Sequence, residues 1–589
     1  MDIYIYNTGI VVHFFFFVLS DIYRIVKKKK IYTYTSIHKM ASIANTANNN
    51  NNNNTDIFKD ISKCNEQLIT AQQTPAEALI IERFLDKYPL SAILSAIAGT
   101  SSEIGIDEQR RNVKLVTELL NRLLFNKCNI TIISPNLAGT MDYLTAGLSS
   151  PFTEIQMLSL RVLENVFETA TKDKETGMLN EYTPDPKFIP YLTNLLDHSD
   201  VKAGKVLVSV MSKYGQYCSK SDRETLLLKL IEYFHAKDMT DSIAHVRILD
   251  IVMHIGKLKF RFKQCVDTGA MDLMESLLLG DDVLVQMNVL EIAKLLAATS
   301  HGVKYFLQNN YCERLFEILG VSFGSNNDSN DDGGNKEAIV QPLLWSGAIE
   351  LLGFICTTQL AEEDLQDAEL VKIRNDKIAI FMLAAVNIMR NYSSEDAQLA
   401  MIALHVIRYF VQGSYDNAWV VYNHHTCIET ILTWTACANN DFRGVAFHTL
   451  ADIFRHAKLN SDRGKLLYER IGANSGISNT VDGLLGHLSK PFVETKHGIL
   501  DLFCAILTTV WGVRILLSYK QFEDYVLDTR AESTYVSKQW KFVMLQNVRS
   551  NVDGWNLLRE ELKEAILSVL KNGPYYTAKP DAEVLTEEV

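Results

Sequence analysis

The stretch Met141-Asp-Tyr-Leu-Thr-Ala-Gly-Leu-Ser-Ser-Pro-Phe-Thr-Glu154 returns 340 residues later as Val481-Asp-Gly-Leu-Leu-Gly-His-Leu-Ser-Lys-Pro-Phe-Val-Glu494. The agreement runs on: Leu144 falls on Leu484, Leu148 on Leu488, Leu160 on Leu500 and Val166 on Ile506. A third copy opens at Met271, with Met274 and Leu278 at the two leucine positions and Gln286-Met287 in place of Gln156-Met157. A fourth opens at Ile189, where Tyr191-Leu192-Thr193 repeats Tyr143-Leu144-Thr145, and a weaker one runs from Ile428 through Phe454. A chain that repeats itself on this scale is built by stacking similar units, each burying its apolar face against its neighbours.

A second motif recurs beside the first: Gly256-Lys-Leu-Lys-Phe260, Gly302-Val-Lys-Tyr-Phe306, Gly464-Lys-Leu-Leu-Tyr468 and Gly512-Val-Arg-Ile-Leu516. Gly302 follows Met271 by 31 residues, and Gly512 follows Val481 by 31. Each unit therefore reads as an ordered set of parts. The glycine is expected to break the preceding helix at low cost. A short helix follows, then one with apolar residues at helical spacing, such as Met141, Leu144 and Leu148. A polar turn with Pro151 or Pro491 is expected to open the next helix, where a missing N–H costs nothing. The long helix carries the widest apolar stripe, as in Met157, Leu160, Leu163, Val166 and Phe167. Pro is scarce, at 11 residues, which suits helices better than a strand-and-turn chain. The starts at Met141 and Ile189 lie 48 residues apart, near the period of about 40–47 of HEAT and armadillo units. The expected fold is all-α: an armadillo/HEAT-like α-solenoid of about twelve helical repeats over residues 57–570.

The ends read differently. Within residues 1–39, Ile3 to Ser20 carries no formal charge and includes Phe14 to Phe17, while Lys27 to Lys30 come after it. A signal peptide has its positive charge before the apolar run. The strongly apolar part, Ile10 to Leu19, falls short of the roughly 20 residues of a membrane helix. The expectation is a non-native leader from upstream translation, with Met40-Ala41-Ser42 as the true start; the alternative is a membrane anchor on a cytosolic body. Residues 40–56, with the run Asn48 to Asn54, read as a disordered Asn-rich segment. Residues 324–335, rich in Asn, Asp, Ser and Gly, read as a disordered insertion. Asn572-Gly573-Pro574 is a helix stop, so residues 571–589 are expected to form a flexible acidic tail.

The net charge of −12 makes nucleic acid a poor partner for the surface as a whole. Nine Cys at 64, 128, 218, 265, 312, 356, 427, 437 and 504, none in a C-x-x-C pair, read as reduced and mostly buried thiols. The expected location is the cytoplasm, with the nucleus also open, and no membrane partner.

Motifs that could carry chemistry have plainer readings. Asp328-x-Asn330-x-Asp332-Gly333 starts like a calcium loop, but Ile339 stands where a bidentate Glu is needed. Asp267-Thr-Gly-Ala270 resembles an aspartic-protease triplet without the second copy that such chemistry shares a proton with; it reads as a turn. His424, His425 and Cys427 lie together, but zinc would need a second ligand cluster, which Cys437 alone does not supply. They read as a helix terminus. Lys257, Lys259, Arg261 and Lys263 alternate with Leu258, Phe260 and Phe262, a pattern usable by nucleic acid, and read here as core aromatics with solvated cations. Asn129-Ile-Thr131 and Asn391-Tyr-Ser393 are glycosylation acceptors only in a secreted chain. No phosphate-cradling loop, H-E-x-x-H or G-x-S-x-G occurs. The chain is expected not to be an enzyme and to need no cofactor, with no catalytic or metal residue assigned and its partner-binding residues unassigned.

The end of the repeat region, Leu570-Lys-Asn-Gly-Pro-Tyr-Tyr576 with Lys579-Pro580 beyond it, and the segment Ser489-Lys-Pro-Phe-Val-Glu-Thr-Lys496 carry a resemblance. With the order of helices and the mid-chain insertion, they make residues 57–580 similar to the armadillo/HEAT-like proteasome assembly chaperones, the family of 26S proteasome non-ATPase regulatory subunit 5. That resemblance implies a chaperone for the base of the proteasome regulatory particle. It would bind an intermediate containing two ATPase-ring subunits, through an ATPase C-terminal domain, and the large base scaffold subunit, and would be absent from the mature particle. The alternative on the same fold is an armadillo-type adaptor in nuclear transport or signalling. Such an adaptor should place Trp and Asn regularly on successive inner helices, whereas Trp345, Trp419, Trp434, Trp511, Trp540 and Trp555 are irregularly spaced.

Overall fold

The computed structural model describes residues 54–70, 106–125, 141–150, 152–175, 186–237, 242–320, 337–391, 397–474 and 479–576, with scattered positions between 80 and 88. The expectations for residues 1–39, for most of 40–56, for 324–335 and for 577–589 lie outside them. Among the described residues all regular structure is helical, with no strand. They fall into two compact units that divide between Leu279 and Gly280.

The first unit contains α1 (Asn54–Thr70), α2 (Ile106–Phe125), α3 (Met141–Leu148), α4 (Thr153–Glu175), α5 (Ile189–Thr193), α6 (Val201–Tyr217), α7 (Lys220–Ala236), α8 (Ser242–Gly256), α9 (Lys259–Asp267) and α10 (Asp272–Leu278). The helices α2, α4, α6 and α8 pack each against the next in chain order, and the remaining helices pack on this row. The stripe expected on α4 is buried at Leu160, Leu163 and Phe167. Asp200, the N-cap of α6, accepts from Ala203 N and so satisfies one of the helix's orphan donors.

The second unit contains α11 (Val283–Ala297), α12 (Ser300–Gln308), α13 (Tyr311–Ile318), α14 (Glu337–Thr357), α15 (Ala368–Asn391), α16 (Ala397–Gly413), α17 (Tyr415–Asn423), α18 (His425–Thr435), α19 (Asn440–His456), α20 (Asp462–Asn474), α21 (Thr480–Leu488), α22 (Val493–Ile506), α23 (Val510–Leu516), α24 (Lys520–Leu527), α25 (Tyr535–Ser550), α26 (Val552–Asn556) and α27 (Glu560–Asn572). Its row is α11, α14, α16, α19, α22 and α25, again neighbour on neighbour. This sequential stacking is the armadillo/HEAT-like α-solenoid expected from the repeats.

Equivalent residues do equivalent work. Gln156 Nε2 donates to the carbonyl of Ser150 at 2.7 Å, and Gln286 Nε2 donates to that of Gly280 at 2.8 Å. Each glutamine ties the turn before its long helix to the helix itself. The recurring glycines behave otherwise than expected. Gly302, Gly464 and Gly512 do not break the preceding helix; each is the third residue of its own short helix. A Cβ there would lie under 3.0 Å from the carbonyl oxygen of Leu296, Leu459 or Ile506. Glycine is needed because the chain doubles back against the end of the long helix. Thr299 and Thr509 cap the turn, accepting from Gly302 N at 3.1 Å and Gly512 N at 3.0 Å. Only Gly256 ends a helix, α8. Pro491 lies outside α22, one residue before its N-cap Phe492.

The end of the chain's last described helix falls at the Asn572-Gly573-Pro574 stop. Helix α27 runs to Asn572, Gly573 turns with φ of 84°, and Tyr575 stacks on Tyr535 with ring centroids 4.3 Å apart.

Candidate partner-binding face

In the second unit the polar groups gather where α16, α19 and α22 meet. The helices α19 and α22 come closest at Gly444 and Gly498: a Cβ on Gly498 would lie under 3.0 Å from the Gly444 carbonyl oxygen, and one on Gly444 would lie 2.8 Å from the Glu494 carbonyl. Thr495 Oγ1 donates to Asn440 O at 3.0 Å across the same contact. Such close backbones bring the next turns of side chains into reach.

Asp452 on α19 accepts from Arg408 Nε at 2.7 Å, Gln412 Nε2 at 2.7 Å and Arg455 Nη1 at 3.0 Å. Asp501 on α22 bonds His448 Nδ1 at 2.5 Å and the Arg455 guanidinium, which also donates to the Asp501 carbonyl at 3.0 Å. The carboxylates lie beneath, with side chains 6% and 3% exposed, while Arg408 and Arg455 keep 27% and 30% exposure. Burial by itself would raise the Asp501 carboxyl, but the bonds from His448 and Arg455 and their charge outweigh it, so Asp501 titrates below the ordinary carboxylate value. Burial, then Arg408 and His448, holds the imidazole of His405 on α16 below its usual value. The result is a set of pre-positioned cationic heads backed by carboxylates that cannot move away.

Further ion pairs tie neighbouring segments of this unit together. Lys294 on α11 bonds Glu291 and, on α14, Glu350. Lys496 on α22 reaches Glu532 at 3.2 Å, and Tyr525 OH donates to the same carboxylate at 2.7 Å. Within the first unit, Ser209 on α6 donates to Glu164 on α4 at 2.5 Å, and Gln216 on α6 donates to the carbonyl of His254 on α8 at 2.6 Å.

The residues singled out from the sequence are not brought together. Asp267 ends α9. There Gly269 N donates to Val266 O and Ala270 N to Cys265 O, both at 3.0 Å, with Gly269 at φ of 79°. That pair of bonds is a Schellman turn, which accounts for Asp-Thr-Gly. His424 is the N-cap of α18, its Nδ1 accepting from Cys427 N at 3.2 Å, while His425 is exposed and Cys427 buried. Among the described residues no group of three or more His, Cys, Asp or Glu is placed to hold a metal ion. The described cysteines are buried apart from the half-buried Cys437. Burial pushes the Cys218 thiol up to about 11 and Cys427 up to about 12, so both stay protonated. The calcium-like loop and Asn129 lie outside the described residues, and Asn391 ends α15. The reading of Leu258, Phe260 and Phe262 as core aromatics is corrected: Phe260 is 90% exposed, Leu258 is 38% exposed and Phe262 is half-buried. No helix of the described residues is long and apolar enough to cross a membrane.

The sequence reading missed the Gly444–Gly498 contact and the ladder above it. Glycines inside two apolar helices were the available signal, since a helix-interior glycine costs stability unless a close neighbour needs it.

Helices stacked neighbour on neighbour in chain order, each row backed by a second set of helices, define a helical-repeat protein of the armadillo/HEAT class. The chain belongs to the family described as Proteasome non-ATPase 26S subunit, which matches residues 40–325 and 383–589. It is similar to 26S proteasome non-ATPase regulatory subunit 5 of Bos taurus, 20% identical over 531 residues, or 88% of this chain and 97% of the relative. The Homo sapiens protein of the same name is 18% identical over 487 residues, covering 82% and 89%. Among solved structures, Kap121p bound to Nup53p aligns over 96% of this chain and 56% of its own, with 13% identity and a TM-score of 0.43.

Proposed function

We propose that this chain is an assembly chaperone for the base of the 26S proteasome regulatory particle. It holds ATPase-ring subunits in an intermediate, contacting an ATPase C-terminal domain and the large scaffold subunit, and leaves before the particle is complete. The observation that carries the reading is family membership over most of the chain, at both ends of the repeat region. The architecture supports it physically. A stack of helices offers many helix ends and side-chain faces that can cover a folded domain over about 1,600 Å². Covering a surface is enough to block a premature docking step, with no covalent chemistry, and release needs only a competitor at high effective concentration in the growing ring. Work of this kind belongs in the cytosol and the nucleus, where proteasomes form. The irregular Trp positions support this reading over the adaptor: in the second unit Trp345 and Trp540 lie on the stacked row, but Trp419, Trp434, Trp511 and Trp555 do not.

The direct test is titration of the purified chain with isolated C-terminal domains of each base ATPase. Saturable binding to one or two of them, with the others silent, supports the reading. Equal indifference to all of them contradicts it.

A further inference from the structure

The second sequence motif holds one member that departs from the rest. Four residues after its glycine, three copies carry a core residue: Phe306 and Leu516 are wholly buried and Tyr468 is 4% exposed. The fourth copy carries Phe260, which is 90% exposed. The cause is a shift of the helix start. Gly302, Gly464 and Gly512 lie inside their short helices, so the residue one turn later points inward. Gly256 instead ends α8, Leu258 is the N-cap, and α9 begins at Lys259. The inward positions of α9 become Gln264 and Cys265. Gln264 is committed there, donating to Lys220 O at 2.7 Å and accepting from Arg223 Nη1 at 2.9 Å. Phe260 is thereby released from the core and stands on the surface, with Leu258 and Val266 partly exposed along the same segment.

The segment itself carries one sign of charge, with Asp250 on α8 and Asp222 on α7 as the carboxylates nearest it. Lys257, Lys259 and Lys263 are exposed and Arg261 is half-buried, its Nε donating to Gln216 O at 3.1 Å. No acidic residue occurs from Gly256 to Val266; the first is Asp267 at the end of α9. Lys220 adds an exposed cation beside Gln264. This is a local positive field on a chain whose net charge is −12. We propose that the Phe260 ridge is a docking site for an acidic protein segment that carries an apolar or aromatic side chain. The aromatic ring supplies the anchor, and the lysines around it supply orientation and a fast, salt-sensitive approach. A single-stranded nucleic acid fits less well, because stacking successive bases needs several aromatic faces and this ridge offers one fully exposed ring. The site does not depend on the chaperone reading.

The test uses the full chain and a labelled random copolymer of glutamate and tyrosine, followed by fluorescence polarisation at several salt concentrations. Polyglutamate, polyuridylate and phosphatidylserine vesicles serve as comparison probes. The expected result is saturable binding of the copolymer, stronger than that of polyglutamate, and weakened about tenfold or more by Phe260→Ala. Phe260→Trp should retain it, and K257E/K259E/K263E should abolish it together with its salt dependence. Leu228→Ala, another exposed apolar position of the first unit, should leave it unchanged. Because Phe260 packs against little, its variants should melt with the parent chain. Failure of the parent to bind the copolymer, equal binding by Phe260→Ala, or a preference for polyuridylate or vesicles would overturn the proposal.

Discussion

Gly444 and Gly498 face each other across the contact of α19 and α22, with no room for a methyl group on either. Gly498→Ala must therefore push two packed helices apart, and overpacking of this kind costs about 1–3 kcal/mol. Gly486, in α21, has nothing within 4 Å of its missing Cβ. Gly486→Ala should instead stabilise by roughly 0.5–1 kcal/mol, the helix-propensity difference. Urea unfolding followed by circular dichroism should move the midpoint in opposite directions for the two variants. A Gly498→Ala midpoint at or above that of the parent would show that the helices do not meet as described.

The ladder above that contact is costly to break from one side. Asp501→Ala would take the carboxylate away from His448 and leave Arg455 with Asp452 alone, with an expected loss of about 1–3 kcal/mol. Removing both partners in Arg455→Met/Asp501→Leu should cost less than the single change, because the guanidinium that loses a partner is then gone as well. The thermodynamic cycle through Tm or urea midpoints checks this, and strict additivity of the single changes would contradict the coupling.

His487 on α21 gives a pH dependence with a definite sign. Burial, then Lys490 and Arg443, pushes its imidazole down to about 4, and its Nδ1 is buried without a hydrogen-bond partner. In the unfolded chain the same group titrates near 6.5. Its contribution is thus fully present above about pH 6.5 and is lost as the pH falls toward about 4, because the unfolded state takes up the proton first. His487→Gln should flatten the stability profile between those limits relative to the parent chain. His405 and His497, also held below their usual values, remain in both proteins. Parallel profiles for parent and variant would show that His487 is not buried as described.

The repeat plan was legible because identical tasks recur at identical spacing. Gln156 and Gln286 could be paired from the sequence, and they make the same bond to the same turn. The buried stripe Leu160, Leu163 and Phe167 was readable for the same reason, since helical periodicity reports burial directly. Close approach was not readable. At the 340-residue offset Gly498 falls on Leu158, so nothing in the pattern marks it as a contact between backbones. The recurring glycines were visible, but their role was misassigned, because a helix-breaking glycine and one admitted for lack of space look alike in a sequence. Phe260 escaped because its motif matches its siblings, while a shift in where α9 begins turns the ring outward. The ion ladder depends on which helices are neighbours across roughly fifty residues of chain, a tertiary fact that local spacing does not encode.

Capping supplies a smaller, local check. Thr509 accepts from Gly512 N and donates to Ile506 O at 2.7 Å, so it closes α22 and opens α23 at once. Thr509→Ala should cost about 1 kcal/mol, and Thr509→Ser should restore most of it. Equal stability of all three proteins would remove the turn from the account.

The central claim is that this chain holds proteasomal ATPases before the particle exists and not after. The measurement is quantitative mass spectrometry of the tagged chain from cells, with its complexes separated by size under native conditions. The account predicts co-elution with base ATPase subunits and the large scaffold subunit in small complexes, and none in fractions containing the complete particle. Stable, stoichiometric retention in the complete particle, or recovery only with transport receptors, would contradict it.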